Sequence, residues 1–181
     1  MASVQKKPDF QNLKNAKALI GDKALFFITR NIDEDVVAFV ANRKGDHMLP
    51  PDSYWTRLDN PLHREEISQS ARDAFYGTSH HALEKGGKPV RGKYRMMLNV
   101  FKNEKDNRII SVKFKKDGSV KAYVVVNKEE CILHAIHTNI IMGMPPSIES
   151  VTVRVETRDG KFIEDNVTIS DDITSNVDVS Q

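Results

Sequence analysis

The chain has one cysteine, Cys131, and one tryptophan, Trp55, among 181 residues. A single thiol excludes an internal disulfide and points to a reducing compartment, so a cytoplasmic protein is expected. No apolar run reaches the roughly 18 residues of a membrane-spanning helix, and no membrane contact is expected. The stretch Met1 to Phe10 carries Lys6, Lys7 and Asp9 with no apolar segment of signal-peptide length, which argues against secretion through a cleaved leader. Phosphate-loop spacing is missing too: Gly86-Gly87 lacks the strand and helix that would flank such a loop.

Metal and nucleophile chemistry are equally thin. Cys131, His134 and His137 lie close together and His80-His81 add two imidazoles, but zinc needs three or four converging ligands. On a regular strand the odd spacing sends His134 and His137 to opposite faces. Glu129 and Glu130 beside Cys131 raise a thiol's pKa, so the cysteine reads as a small buried hydrophobe rather than an attacking group. Asp33, Glu34 and Asp35 do not have the spacing of a calcium loop. No metal and no cofactor are expected.

What is present is alternation. The composition, 39% hydrophobic and 29% charged, is that of a folded domain, and the length suits one core better than two. Leu25 to Asn31 and Val36 to Arg43 form two apolar runs joined by the short acidic stretch Ile32 to Asp35, which reads as a hairpin built into a core. Tyr94, Met96 and Leu98, then Ile110, Val112 and Phe114, then Val120, Ala122, Val124 and Val126 repeat at period two. Turns are marked at Lys115 to Ser119 and at Arg158-Asp159-Gly160. One helix is expected from Pro61 to Tyr76, capped by Asn60 and stopped by Gly77, with Ile67, Ala71, Ala74 and Phe75 as its buried stripe.

The expected architecture is a mainly β, single-domain antiparallel sandwich or barrel of about nine strands. Residues 1–22 form an N-terminal arm with a short helical patch around Leu13 to Ile20. Residues 23–169 form the β-rich domain, and 170–181 a disordered tail. The tail side is acidic: residues 164–181 hold five carboxylates and no Lys or Arg, although the whole chain is +2.

Leu25-Phe26-Phe27-Ile28-Thr29-Arg30-Asn31, the Val36 to Asn42 strand, Tyr54-Trp55, Ala74-Phe75-Tyr76-Gly77 and a late hairpin from Pro145 to Asp165 together resemble a domain family of bacteria and some eukaryotes defined only as a domain of unknown function. The resemblance spans about residues 23 to 168 and implies a common fold. It implies no activity and no catalytic residues.

The candidate contact residues come from the residues themselves. Arg30 ends an apolar strand, where a planar guanidinium suits a carboxylate or phosphate, and Asn31 follows it. Tyr54 and Trp55 offer a stacking surface. Lys88, Arg91 and Lys93 lie in the densest basic stretch and suit an acidic partner. Nucleic acid is disfavoured because only Tyr94 interleaves with those cations. The expected function is a non-enzymatic binding or assembly module contacting a protein partner, with a small-ligand-binding β-barrel as the alternative. An enzyme ranks third, because no constellation meets the geometric demands of catalysis.

Overall fold

The computed structural model describes residues 7–45, 47–80, 92–101 and 108–168. The chain is mainly β, with eleven strands in one sheet among the described residues. They are β1 (Ala24–Arg30), β2 (Asp35–Lys44), β3 (His47–Arg57), β4 (Asn60–Glu65), β5 (Thr78–His80), β6 (Lys93–Leu98), β7 (Ile110–Phe114), β8 (Val120–Val126), β9 (Glu129–Ile141), β10 (Ser147–Glu156) and β11 (Phe162–Thr168). Helix α1 (Phe10–Ile20) precedes them, and a short helix α2 (Gln69–Ala71) runs into a wide helical turn, Arg72–Tyr76.

The sheet branches at β9. One edge of β9 pairs with β10 along most of its length, and β11 follows β10. The other edge is shared. Glu129–Ile132 pair with β8, whereas Ala135–Thr138 pair with β1. Two arms therefore leave the same edge, β1-β2-β3-β4 and β8-β7-β6-β5, and the sheet does not close on itself. The β1–β9 pairing is parallel, so the sheet is mixed rather than purely antiparallel. That pairing joins segments distant in sequence, and no local turn signal announces it.

The principal core fills the space between the arms. Phe26, Ile28, Phe39, Met96, Val112, Val124 and Val153 meet there. A second cluster lies on the opposite face of β1 and β2, where Leu13 and Ala16 of α1 pack on Phe27, Val36, Ala38 and Tyr54. With both faces covered, β1 and β2 are buried almost without alternation. This is the physical reason for the continuous apolar runs at Leu25 and Val36. β8, covered on one face, keeps the alternating pattern. The N-terminal segment is thus more than an arm: α1 is a layer of the fold, capped by Asp9, whose carboxylate accepts from the Asn12 N–H at 2.7 Å.

Of the expected helix from Pro61 to Tyr76, only the second half is helical, Gln69–Ala71 and Arg72–Tyr76. Asn60 and Pro61 begin the edge strand β4, with Arg57 opposite Asn60 and Trp55 opposite Glu65. A proline at the start of an edge strand forfeits no ladder bond, which is what the helix reading overlooked. Ser68, not Asn60, caps the helical segment. Of the proposed stripe only Ile67 is buried, and Tyr76 takes the place assigned to Ala74 and Phe75.

Gly77 does end the helical turn, but through close approach. Its N–H donates to the Arg72 carbonyl at 2.7 Å, and an added Cβ would lie 2.5 Å from that oxygen. Asn99 Nδ2 donates to the same carbonyl at 2.8 Å. Gly77→Ala is therefore expected to cost about 2 kcal/mol through overpacking against main chain, read by chemical denaturation.

Candidate functional site

Three connections converge at one end of the sheet: the β1–β2 turn, the β3–β4 turn and the β9–β10 tip. Their convergence follows from the parallel register, because β1 and β9 run the same way and end together. Side chains lock the junction. Thr29 Oγ1 lies 2.7 Å from His137 Nδ1, and Thr138 Oγ1 donates to the Thr29 carbonyl at 2.8 Å. Asn31 then replaces a missing rung: its Oδ1 accepts from the Ile140 N–H at 2.8 Å and its Nδ2 donates to the Ile140 carbonyl at 3.3 Å.

Arg30 points the other way into a local network. Its Nε donates to Asp33 at 3.1 Å, a terminal nitrogen ion-pairs with the second Asp33 oxygen, and another donates to the Tyr76 hydroxyl at 3.3 Å. The guanidinium lies 4.7 Å from the centre of the Trp55 ring, which itself meets Tyr76 edge-on at 4.9 Å. Burial opposes the Arg30 charge, but the hydrogen bonds to Asp33 and Tyr76 outweigh it and hold the pKa above its ordinary value.

The segments Leu25–Asn31, Tyr54-Trp55 and Ala74–Gly77 thus meet in space at Arg30, Trp55 and Tyr76. Tyr54 and Trp55 do not share a surface. As neighbours on a strand they face opposite sides, Tyr54 toward α1 and Trp55 toward the principal core. Of the basic candidates, Lys88 and Arg91 lie outside the described residues. Lys93 is half-buried on β6 opposite Lys113, remote from Arg30 in the strand order, and burial lowers its pKa.

The apolar tip beside Asn31 escaped the sequence reading. Met144 is 99% exposed, Met142 65% and Ile141 46%. No Asp, Glu, Lys or Arg occurs from Cys131 to Ile148, an uncharged stretch that would have flagged it. Four carboxylates, Asp33, Glu34, Asp35 and Asp59, stand on the neighbouring turns against Arg30 and Arg57.

The histidines also depart from expectation. A bulge at His134, where the register slips between Arg154–Ala135 and Val155–Leu133, restores His134 and His137 to one face of β9. Both are buried. Burial holds each pKa down at about 4, aided by Lys17 at His134 and by Arg154 at His137. Cys131 is buried in the core with its pKa raised, chiefly by burial. Among the described residues no group of three or more His, Cys, Asp and Glu is placed to hold a metal ion.

The fold is a single mainly β domain with a layered core. The chain belongs to the family described as domain of unknown function DUF4833, which matches residues 26–165. Neither the curated proteins nor the solved structures yield a match. Among the described residues no helix is long and apolar enough to cross a membrane.

Two outcomes follow from this geometry. A double-mutant cycle on Arg30→Met and Trp55→Leu is expected to give a coupling of about 1 kcal/mol, because the pair is half-buried. His137 stays neutral in the folded state between pH 6.5 and about 4, while the unfolded chain takes up the proton. The unfolded state then binds more protons, so stability falls as pH drops through that window. His137→Gln is expected to flatten the slope there, by at most about 1.4 kcal/mol per pH unit, in denaturation measured at several pH values.

Proposed function

We propose that this domain is a non-enzymatic binding module that docks a protein partner through the end of the sheet carrying the β9–β10 tip. The observation that carries the reading is the exposure of Met142 and Met144 on a strand pair anchored by Asn31. An exposed apolar group flanked on one side by charged turns has the anatomy of an interface, with a dry centre and a polar rim. Methionine side chains adapt to the shape of a groove, which suits them to that centre.

The chemistry of the partner follows from the rim. Carboxylates outnumber guanidiniums on the two adjacent turns, so the complementary surface is an apolar groove edged by Lys or Arg. A cytoplasmic location fits the single cysteine, which is buried as a free thiol. The alternative of a barrel holding a small apolar ligand has less support. Val112, Val124 and Val153 are buried in one packed cluster, with Phe114 against it, and the sheet is open.

A photo-crosslinking residue at position 144 in the full chain identifies the partner in cells, and the purified pair is then titrated. Met142→Asp with Met144→Asp is expected to weaken binding roughly 30-fold or more, the scale of an interface hot spot. Lys93→Ala is expected to leave it unchanged. Unaltered affinity in the tip variant, or crosslinking to lipid alone, overturns the proposal.

A further inference from the structure

On the side of the sheet covered by α1, away from the docking end, three side chains from distant elements form a hydrogen-bonded chain. Lys17 Nζ of α1 lies 3.2 Å from His134 Nδ1, and His134 Nε2 lies 2.9 Å from Glu156 Oε1 of β10. The bulge at His134 produces this arrangement by turning the imidazole to the α1 side. The carboxylate can only accept, so Nε2 carries the proton and Nδ1 is left as an acceptor for the lysine amine. A nucleophile within reach of a base, and the base oriented by a third group, is the arrangement used to activate weak nucleophiles.

The chain opens into a cavity of about 470 Å³ whose lining includes Lys14, Lys17, Lys121, Ser119, His134 and Glu156. Two further ammonium groups, Lys14 and Lys121, thus border the amine. Lys14 is 3.6 Å from Glu156, while Lys121 has no ion-pair partner among the described residues. Asp22 lies on the cavity wall as the other carboxylate.

From this juxtaposition we propose that Lys17 is an amine nucleophile that forms an imine with a small carbonyl compound bearing a carboxylate, such as a 2-oxo acid. The Lys17 nitrogen attacks the carbonyl carbon, forming the C–N bond while the π electrons move to oxygen. His134 Nδ1 relays both amine protons to that oxygen in turn, the first making the carbinolamine hydroxyl and the second protonating it. That hydroxyl leaves as water as the C=N bond forms. The step is a condensation, with no oxidant or reductant. Lys121 attracts the carboxylate of the ligand, and Glu156 is a positioning residue for the imidazole.

The charge state of the amine agrees with this role. Burial, reinforced by Lys121 and opposed by Glu156, holds the Lys17 pKa at about 7, so a large share of the amine is neutral near neutral pH.

Reductive trapping tests the assignment. The full chain is incubated with glyoxylate and, separately, with uncharged propanal, each with cyanoborohydride, and adducts are mapped by peptide mass spectrometry. Glyoxylate is expected to modify Lys17 ahead of every other lysine and faster than propanal does. The rate should fall at least roughly tenfold in His134→Gln and partially in Glu156→Gln. The wild-type rate should rise through a midpoint near pH 7. Adducts spread over exposed lysines with Lys17 unmodified, or equal labelling by propanal, overturn the proposal. The mapping uses the wild-type chain and does not depend on the tip, so its failure leaves the docking proposal standing, and the converse holds.

Discussion

The structure depends on the parallel pairing of β1 with the second half of β9. This contact joins residues more than a hundred positions apart, and the loop-closure entropy it costs is recovered only once both arms pack on it. Side chains add to the backbone ladder at each step. Thr29 engages His137, Thr138 returns to the Thr29 carbonyl, and Asn31 completes a rung at Ile140. Without this junction the two arms would share no edge, and neither the principal core nor the α1 layer would have two walls.

The same junction determines where chemistry is placed. Because β1 and β9 end together, the apolar tip sits beside the acidic β1–β2 turn. The bulge one turn of the pleat earlier sends His134 toward α1, where Lys17 and Glu156 await it. The proposed docking end and the proposed imine-forming cavity are thereby held by one pair of strands yet kept on separate surfaces. The Arg30, Trp55 and Tyr76 network ties β1 to β3 and to the helical turn, and its groups are largely satisfied by one another.

What could be read in the sequence was local. Period-two alternation located β6, β7 and β8, and Asp117-Gly118 and Asp159-Gly160 located the β7–β8 and β10–β11 turns, because these depend on neighbours along the chain. The unbroken apolar runs of β1 and β2 signalled a hairpin built into a core, and the structure covers both its faces. Pro61 was misread because it favours the first turn of a helix and the first residue of an edge strand alike. The bulge at His134 has no marker in composition, so the two histidines, expected on opposite faces, share one. Arg30 and Asn31 were legible as unusual residues at a strand end and Trp55 as a stacking surface, but their partners Asp33, Ile140 and Tyr76 come from three different segments. The Lys17 chain was illegible for the same reason: each member is ordinary alone, and only the fold brings them within hydrogen-bond reach.

Native-state hydrogen exchange tests the central claim most directly. If the β1–β9 junction is the constraint on which the rest depends, the β1 and β9 amides that bond across it should exchange only through global unfolding, with the free energy measured by denaturant. Exchange of those amides through local opening, while β6 to β8 stay protected, would contradict the account.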